Sequence, residues 1–129
     1  MLSLGDSASL TRTVTEEDIR KFADASGDFN PIHLDPDFAA GTRFKRPIAH
    51  GMLAASLISA VLGTKLPGPG SIYLGQTLKF LKPVFPGDTL MAKVEVIGIV
   101  EGKRRVSLKT ECFNQNNECV LEGEATLLV

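Results

Sequence analysis

Six side chains that can move protons or bind ions are concentrated in one short segment of this 129-residue chain. They are Asp24, Asp28, Asn30, His33, Asp35 and Asp37. Asp28 and His33 are five residues apart, and Pro31 stiffens the chain between them. A carboxylate and an imidazole that converge on one water molecule form a general acid–base pair. The spacing makes Asp28 and His33 candidate catalytic residues, although a turn cap and a structural histidine would use the same residue types.

A second candidate group is His50-Gly51, which directly precedes a long apolar stretch. A helix that begins here would present unpaired N–H donors and a partial positive charge at its first turn. Gly51 would let a ligand approach the backbone closely, or would only permit tight packing. If the loop that carries Asp28 and His33 faces this helix start, the combined site suits chemistry beside a carbonyl group.

The first half of the sequence predicts short elements around the polar segment. Thr15 is followed by three acidic residues, as is typical of a helix N-cap and first turn. Pro31 cannot continue a helix, so we expect a loop around it. The predicted elements are a polar edge strand over residues 7–14, a helix from Thr15 to Ser26-Gly27, a loop over residues 28–33 and a capped helical turn over residues 35–41 with Pro36 first.

The second half predicts one helix and then only strands. The stretch from about His50 to Leu62 is apolar or small on nearly every face, and Gly63 is expected to end it. Alternation of apolar and polar side chains predicts strands over residues 71–84 (broken at Pro83), 89–100, 104–113 and 118–129, with a turn between each and the next. The fold class is therefore α+β, a single hot-dog domain over residues 1–129, with an antiparallel sheet wrapped around a long apolar central helix. Because one small sheet cannot cover such a helix, we expect two copies to form a homodimer.

Composition excludes several classes of protein. Fourteen basic residues against fifteen acidic ones give a net charge of −1, which lacks the basic signature of nucleic-acid binding. The longest apolar run, residues 48–62, is shorter than the ~20 residues of a membrane span. The first residues lack the pattern of a signal or transit peptide, so we expect a cytoplasmic protein of bacterial type or an organelle-matrix protein. Cys112 and Cys119 are expected to be reduced, structural thiols.

The stretch FADASGDFNPIHLDPDFA, residues 22–39, closely resembles the signature of the (R)-specific enoyl-CoA hydratases, also called hydratase 2 or MaoC-like dehydratases. The core of that signature is Gly-Asp-x-Asn-Pro-(aliphatic)-His. The resemblance continues through RPIAHGMLAASLISAVLG and GSIYLGQTLKFLKPVFPGD, so it covers most of the chain. It is greatest to the short enzymes that supply (R)-3-hydroxyacyl-CoA for polyhydroxyalkanoate synthesis. It implies a hydro-lyase that reversibly hydrates trans-2-enoyl-CoA, in that role or in fatty-acid metabolism.

The resemblance also implies roles for individual residues. Asp28 and His33 would be the catalytic dyad that holds a water molecule, and the backbone N–H of Gly51 would bind the thioester oxygen. Coenzyme A is then part of the acyl-CoA substrate, and no cofactor is expected. The predicted substrate-binding residues are Asn30, Ser59 and Leu62, with Leu57 and Ile58 as further candidates for an acyl pocket beside the helix.

Four alternatives remain open at this point. A 3-hydroxyacyl dehydratase of fatty-acid synthesis, acting on an acyl-carrier-protein or CoA thioester, would use the same dyad. Thioester hydrolysis also occurs on this fold, and a non-catalytic acyl-CoA-binding subunit would be expected to lack Asp28 or His33. A metal site could be built from the two histidines with Asp28 or Asp35. No histidine spacing matches a helical or zinc-ribbon pattern and hydration needs no metal, so we expect none.

Two basic clusters could meet the phosphates of coenzyme A. They are Arg43-Lys45-Arg46 and Lys103-Arg104-Arg105. The first is nearer in sequence to the polar segment, and we favour it for that reason.

Overall fold

A computed structural model describes residues 1–129 and shows one antiparallel sheet packed on a long helix. The strand order in the sheet is β1-β4-β5-β6-β2, and β3 also pairs with β6. No helix is long and apolar enough to cross a membrane. The elements are β1 (Ser7–Thr13), α1 (Glu16–Ser26), α2 (Pro31–Leu34), α3 (Pro36–Ala40), α4 (Gly51–Thr64), β2 (Ile72–Gln76), β3 (Lys79–Phe80), β4 (Thr89–Val100), β5 (Arg105–Phe113) and β6 (Cys119–Leu128).

The caps of α1 and α3 confirm the helix boundaries expected from the sequence. The Thr15 hydroxyl accepts the Asp18 N–H at 3.1 Å, and the Asp18 carboxylate accepts the Thr15 N–H in return. Gly27 ends α1 with φ 81°, a left-handed conformation that glycine adopts without strain. The Asp35 carboxylate caps α3, which starts at Pro36 as predicted.

The structure corrects the prediction of a loop over residues 28–33. Pro31 cannot continue a helix, but at the first helical position its missing N–H is not needed. The Asn30 side chain accepts the Ile32 N–H at 3.2 Å and caps the short helix α2. Only residues 28–30 of this segment lack regular structure.

Two other predicted boundaries are wrong. Gly63 does not end α4, which continues to Thr64. The long strand over residues 71–84 is two short strands, β2 and β3, both paired with β6. The register shifts between Tyr73 and Gly75, and the chain continues along the same edge of β6, where Gly123 leaves space for the Thr77 carbonyl. The connection from β3 to β4 includes the predicted turn at Pro86-Gly87-Asp88, but these two strands are not neighbours.

The three long strands β4, β5 and β6 form an antiparallel meander that follows the predicted alternation. Along β4, Leu90, Ala92, Val94 and Val96 are buried, and the residues between them are not. Along β5 the buried positions are Val106, Leu108, Thr110 and Cys112. Their inner face packs against α4 around Ile58, Val61 and Leu62, and this confirms the hot-dog architecture. Both cysteines are free, and burial raises the pKa of the Cys112 thiol to about 12.

One face of α4 is not covered by the sheet. Met52, Ser56 and Ser59 recur at helical spacing and are exposed, with Met52 54% exposed. This uncovered face agrees with the expectation that one small sheet cannot cover the whole helix.

Candidate active site

Asp28 lies just after α1 and is held by hydrogen bonds to residues next to it in the chain. Its N–H donates to the Ser26 hydroxyl at 3.1 Å, and its carboxylate accepts the Asn30 N–H at 3.2 Å. The turn-capping role is therefore real, but the side chain is exposed and also lines a cleft. A carboxylate with one hydrogen bond keeps lone pairs free for a further donor such as water.

His33 lies in α2 and is oriented by the backbone of Ile48. The Ile48 carbonyl accepts from Nδ1 of His33 at 2.7 Å, and the Ile48 N–H donates to the Ile32 carbonyl at 3.2 Å. A carbonyl oxygen can only accept, so Nδ1 carries the proton and the neutral ring has its lone pair on Nε2. His33 is thus held in the tautomer that a general base needs.

The surroundings of His33 favour this neutral form. Burial lowers the pKa of His33 from its ordinary value near 6.5, and the nearby His50 ring lowers it further. The Ile48 carbonyl and Asp28 act in the opposite direction. The net shift is downward, so the imidazole is free to accept a proton at neutral pH.

The geometry between Asp28 and His33 suits a shared water molecule. Ligand atoms of Asp28, His33 and His50 all lie within 4.8 Å of one another, and Asp28 and His33 make no direct hydrogen bond. One water that bonds to two groups at ~2.8 Å each can span up to about 5.6 Å. A water between the carboxylate and the imidazole can therefore contact both.

Gly51 begins α4 beside this pair. Its N–H makes no hydrogen bond within the chain, as expected at the first helical position. A methyl group on Gly51 would lie 2.6 Å from the Phe80 ring, so glycine is also needed for packing. Both sequence interpretations of Gly51 are thus compatible: the residue allows close packing and leaves a free donor.

Asp28, His33 and Gly51 line one cleft of about 390 Å³. Its walls are mostly apolar, and Phe80 and Val84 contribute to them. Arg43 and Lys82 supply positive charge, although Lys82 is paired with Glu118 at 2.5 Å. His33 also lines a second cleft of about 340 Å³. A mostly apolar cleft with a few convergent polar groups is the usual form of a small-molecule site.

The other predicted site residues lie outside this cleft. Asn30 caps α2, and Ser59 lies on the exposed face of α4. Leu62, together with Leu57 and Ile58, is buried in the core of the chain. Their contact with substrate therefore remains a prediction. Of the favoured basic cluster only Arg43 lines the cleft, and the cluster at residues 103–105 lines neither cleft.

Two groups have enough ligand atoms in proximity for a metal ion. One is Asp28, His33 and His50; the other is Glu111, Cys119 and Glu122 on the outer part of the sheet. In the first, the two imidazoles are stacked with centroids 3.9 Å apart and planes at 30°. A zinc ion lies in the plane of each ligating imidazole, about 2.0–2.1 Å from the nitrogen. Nearly parallel stacked planes do not meet within that reach, so the trio fits ring packing better than chelation.

Sequence reasoning missed two residues of the site. Phe80 is 52% exposed and lies against Gly51, and no local pattern marks it. The sequence marks His50 only as the helix start and as a possible metal ligand, whereas its ring stacks on His33 and bonds to the Asp28 backbone carbonyl. A histidine directly before a glycine at a buried helix start was the available signal.

Comparison with known proteins places the chain in a family. Residues 6–117 match the MaoC like domain. The chain is 54% identical over 125 residues to an (R)-specific enoyl-CoA hydratase of Rhodospirillum rubrum, covering 97% of this chain and 86% of the relative. It is 50% identical over 126 residues to the (R)-specific enoyl-CoA hydratase of Aeromonas caviae, covering 98% and 94%.

Structural comparison gives the same result. The solved structure of an (R)-hydratase from A. caviae involved in PHA biosynthesis superposes with a TM-score of 0.96 at 49% identity, covering 99% of this chain and 97% of that one. The overall fold, with the sheet packed on α4, is thus shared with that protein. This chain belongs to the MaoC-like domain family.

Proposed function

We propose that this protein is an (R)-specific enoyl-CoA hydratase, a hydro-lyase that reversibly adds water to trans-2-enoyl-CoA to give (R)-3-hydroxyacyl-CoA. The observation that carries this proposal is the convergence of Asp28, His33 and the free Gly51 N–H on one cleft. The identity of about half with named (R)-specific hydratases supports the same reaction.

The reaction requires a base, an acid and a binding site for negative charge. Water loses a proton to the dyad while its oxygen bonds to C3 of the enoyl group. The C2=C3 double bond becomes a single bond, and C2 receives a proton from the dyad. The Asp28 carboxylate and Nε2 of His33 can each bond to the same water, so the pair can take one proton and deliver another. The two groups act as one coupled unit.

The developing enolate is stabilised at the start of α4. As electrons move from the double bond toward the thioester, negative charge builds on its oxygen. The free N–H of Gly51 and the partial positive charge at the beginning of this 14-residue helix are suited to that charge. A donor fixed by the helix needs no rearrangement during the reaction.

The coenzyme A phosphates would be met at Arg43. Its guanidinium lies over the Phe44 ring at 4.8 Å and lines the cleft, and no carboxylate pairs with it. Lys82 is nearby but is already paired with Glu118. Arg43 is therefore the basic side chain best placed for an anionic carrier.

We also propose a homodimer, because the exposed face of α4 and the exposed edge of the sheet at β2 lack a cover in the single chain. Met52, Ser56 and Ser59 form the exposed face of α4. Strand β2 is an edge of the sheet, and Ile72, Tyr73 and Leu74 are exposed large side chains there. A second copy would bury both surfaces, and light scattering should give twice the 13.8 kDa chain mass. A monomer at micromolar concentration would refute this assembly.

The biological setting proposed is monomer supply for polyhydroxyalkanoate, or fatty-acid metabolism, in the cytoplasm or an organelle matrix. The description of the similar A. caviae structure supports the first role, and the two free cysteines suit a reducing compartment. Hydration is proposed to use no metal or organic cofactor, so dialysis against a chelator should leave turnover unchanged. Loss of turnover that returns on adding a divalent metal would contradict this.

The reaction is tested with purified protein and crotonyl-CoA. Loss of the ultraviolet absorbance of the enoyl thioester should be rapid, and chiral analysis of the product should give the (R)-isomer. No turnover at micromolar enzyme, or an (S)-product, would refute the proposal.

The same experiment separates the alternatives. A thiol reagent detects release of free coenzyme A, which would indicate thioester hydrolysis. A parallel series on acyl-carrier-protein thioesters would show a dehydratase of fatty-acid synthesis as a higher kcat/KM on that carrier. Binding of acyl-CoA without turnover would indicate a non-catalytic subunit.

A further inference from the structure

His50 is the most buried polar side chain near the cleft and has no role in the reaction described so far. Only 2% of it is exposed, and it directly precedes Gly51. It occupies the N-cap position of α4, but its side chain makes no capping hydrogen bond. A histidine is not a favoured N-cap residue, so the helix does not explain its presence.

The His50 ring instead contacts both catalytic candidates. Nε2 donates to the backbone carbonyl of Asp28 at 3.0 Å. One face stacks on His33 with ring centroids 3.9 Å apart. Phe22 packs against the ring at 4.9 Å with planes tilted by 53°. The His50 side chain therefore contacts α1, the Asp28 turn and α2, and its own backbone lies at the start of α4.

The remaining nitrogen of His50 is unsatisfied. Nδ1 is buried and has no hydrogen-bond partner. Burying such an atom costs stability, and an apolar ring of similar size would avoid that cost. A histidine at this position is therefore poorly explained by packing alone, whereas its Nε2 donor is used on the Asp28 backbone.

We infer that His50 is a positioning residue that fixes the Asp28 turn and the His33 ring relative to the Gly51 N–H. The inference rests on the proposed hydratase function. The ring fixes the acid–base pair, and the backbone of the same residue begins the helix that carries the thioester-oxygen donor. His50 thus sets the distance between the acid–base pair and the Gly51 N–H.

The need for such a residue follows from the exposure of the Asp28 turn. Residues 28–30 have no regular structure and none of them is buried, so their own packing does not fix their position. Without the His50 donor, the Asp28 carbonyl would lose its bond to α4. A displacement of ~1 Å in a catalytic group can lower turnover by about 10²-fold.

His50 also affects the protonation of its neighbour, which gives an independent measurement. It lowers the pKa of His33, so replacing it with an uncharged side chain should raise that pKa. The other charged groups around His33 are Asp28, Arg43 and Lys82 in the first cleft and Glu16, Arg20 and Asp24 in the second. None of these is replaced in the His50 variants, and movement of the Asp28 carboxylate away from His33 would lower the pKa of His33, so a rise in that pKa is attributable to loss of the His50 ring.

The test compares wild type, His50→Phe, His50→Gln and the control Val61→Ala on crotonyl-CoA. Phenylalanine keeps the stacked ring and lacks the donor, so kcat should fall by about 10²-fold with KM changed by less than about threefold. Glutamine keeps an N–H donor and should recover part of kcat. In both His50 variants the acid limb of kcat/KM should move to higher pH. Val61 is buried in the same helix away from the cleft, and its variant should lower only the thermal midpoint.

The outcomes separate the inference from the function on which it rests. Wild type without hydration overturns both. Wild-type turnover with folded His50→Phe within threefold of its kcat overturns only the positioning role. A second result also overturns only the positioning role. In that result kcat falls in both His50 variants in proportion to the thermal midpoint, as in Val61→Ala, and the pH profile does not move. If His50→Phe does not fold, His50→Gln alone tests the positioning role. A kcat within threefold of wild type, or an unmoved acid limb, would then overturn that role.

Discussion

The segment from Asp28 to Leu34 and the meander of β4, β5 and β6 are stabilised in opposite ways. No side chain of the segment is buried, and its shape depends on hydrogen bonds to the Ser26 hydroxyl, the Asn30 N–H and the Ile48 carbonyl. In the meander, alternate side chains are buried against α4 and the strands are paired along most of their length. The difference indicates that catalysis and stability reside in separate parts of the molecule. Substitutions should therefore affect one property or the other.

The largest expected effect is on catalysis, from Asp28→Asn. Asparagine can still accept the Asn30 N–H but cannot take a proton from water, so kcat/KM should fall by about 10²–10⁴-fold. The unfolding midpoint should hardly change, because Asp28 is exposed. The matched control Asp37→Asn removes a nearby exposed carboxylate outside the cleft and should keep full activity. Near-native turnover of Asp28→Asn would remove it from the dyad.

The converse effect is expected in the meander. Leu108 is fully buried, and Leu108→Ala should lower the free energy of unfolding by about 2–5 kcal/mol. Urea denaturation measures this, and turnover per folded molecule should stay near that of wild type. Ile97→Ala, on the exposed face of the same sheet, should cost about 0.5 kcal/mol or less. Loss of turnover in folded Leu108→Ala would show that the two regions are coupled.

The same contrast explains which parts of the structure could be predicted from the sequence. The bounds of β4 are those expected, because side-chain alternation and a glycine turn are local signals. The short helix α2 was not predicted because a proline can either interrupt a helix or occupy its first position. The Asn30 cap favours the second arrangement at Pro31. No local sequence pattern predicts that the Ile48 backbone forms hydrogen bonds to Ile32 and His33.

The reacting groups of the candidate site could be predicted from the sequence, but the residues that hold them in position could not. Asp28, His33 and Gly51 were identified by residue type, spacing and the family signature, and they do line one cleft. The His50 ring, in contrast, acts through a contact with a carbonyl 22 residues away, which spacing cannot reveal. Phe80 lies against Gly51 in the strand β3, which pairs with β6 about forty residues later in the chain, and no local pattern reveals such a contact.

A smaller effect on catalysis is expected where the segment meets the helix. Gly51→Ala keeps the N–H but places a methyl group 2.6 Å from the Phe80 ring, so the ring or the helix start must move. We expect kcat/KM to fall by about 10-fold to 10²-fold. Adding Phe80→Ala should restore part of the loss by making room for the methyl group. If the double variant is no better than Gly51→Ala, then crowding against the Phe80 ring is not the cause of the loss.

Binding of the carrier should be more sensitive to charge than to packing. Arg43→Ala should raise KM for crotonyl-CoA by about 3-fold to 10-fold with little change in kcat, and the effect should shrink at high salt. Arg105→Ala removes the same charge from a position that lines neither cleft and serves as the control. Equal effects of the two substitutions would mean that net charge, and not a local contact, attracts the substrate.

The smallest effect concerns pH, and it probes the partial burial of His33 in a segment that has no fully buried side chain. The pKa of His33 is lowered chiefly by burial, so the ring in the free enzyme gains its proton only below the ordinary value of about 6.5. A general base must be neutral, and lowering the pH from about 7.5 to about 6.5 should therefore reduce kcat/KM by less than about twofold. The decline should become steep only at lower pH. An acid limb with its midpoint above about 6.5 would show that the charged form is favoured, so that Asp28 and the Ile48 carbonyl outweigh desolvation at this ring.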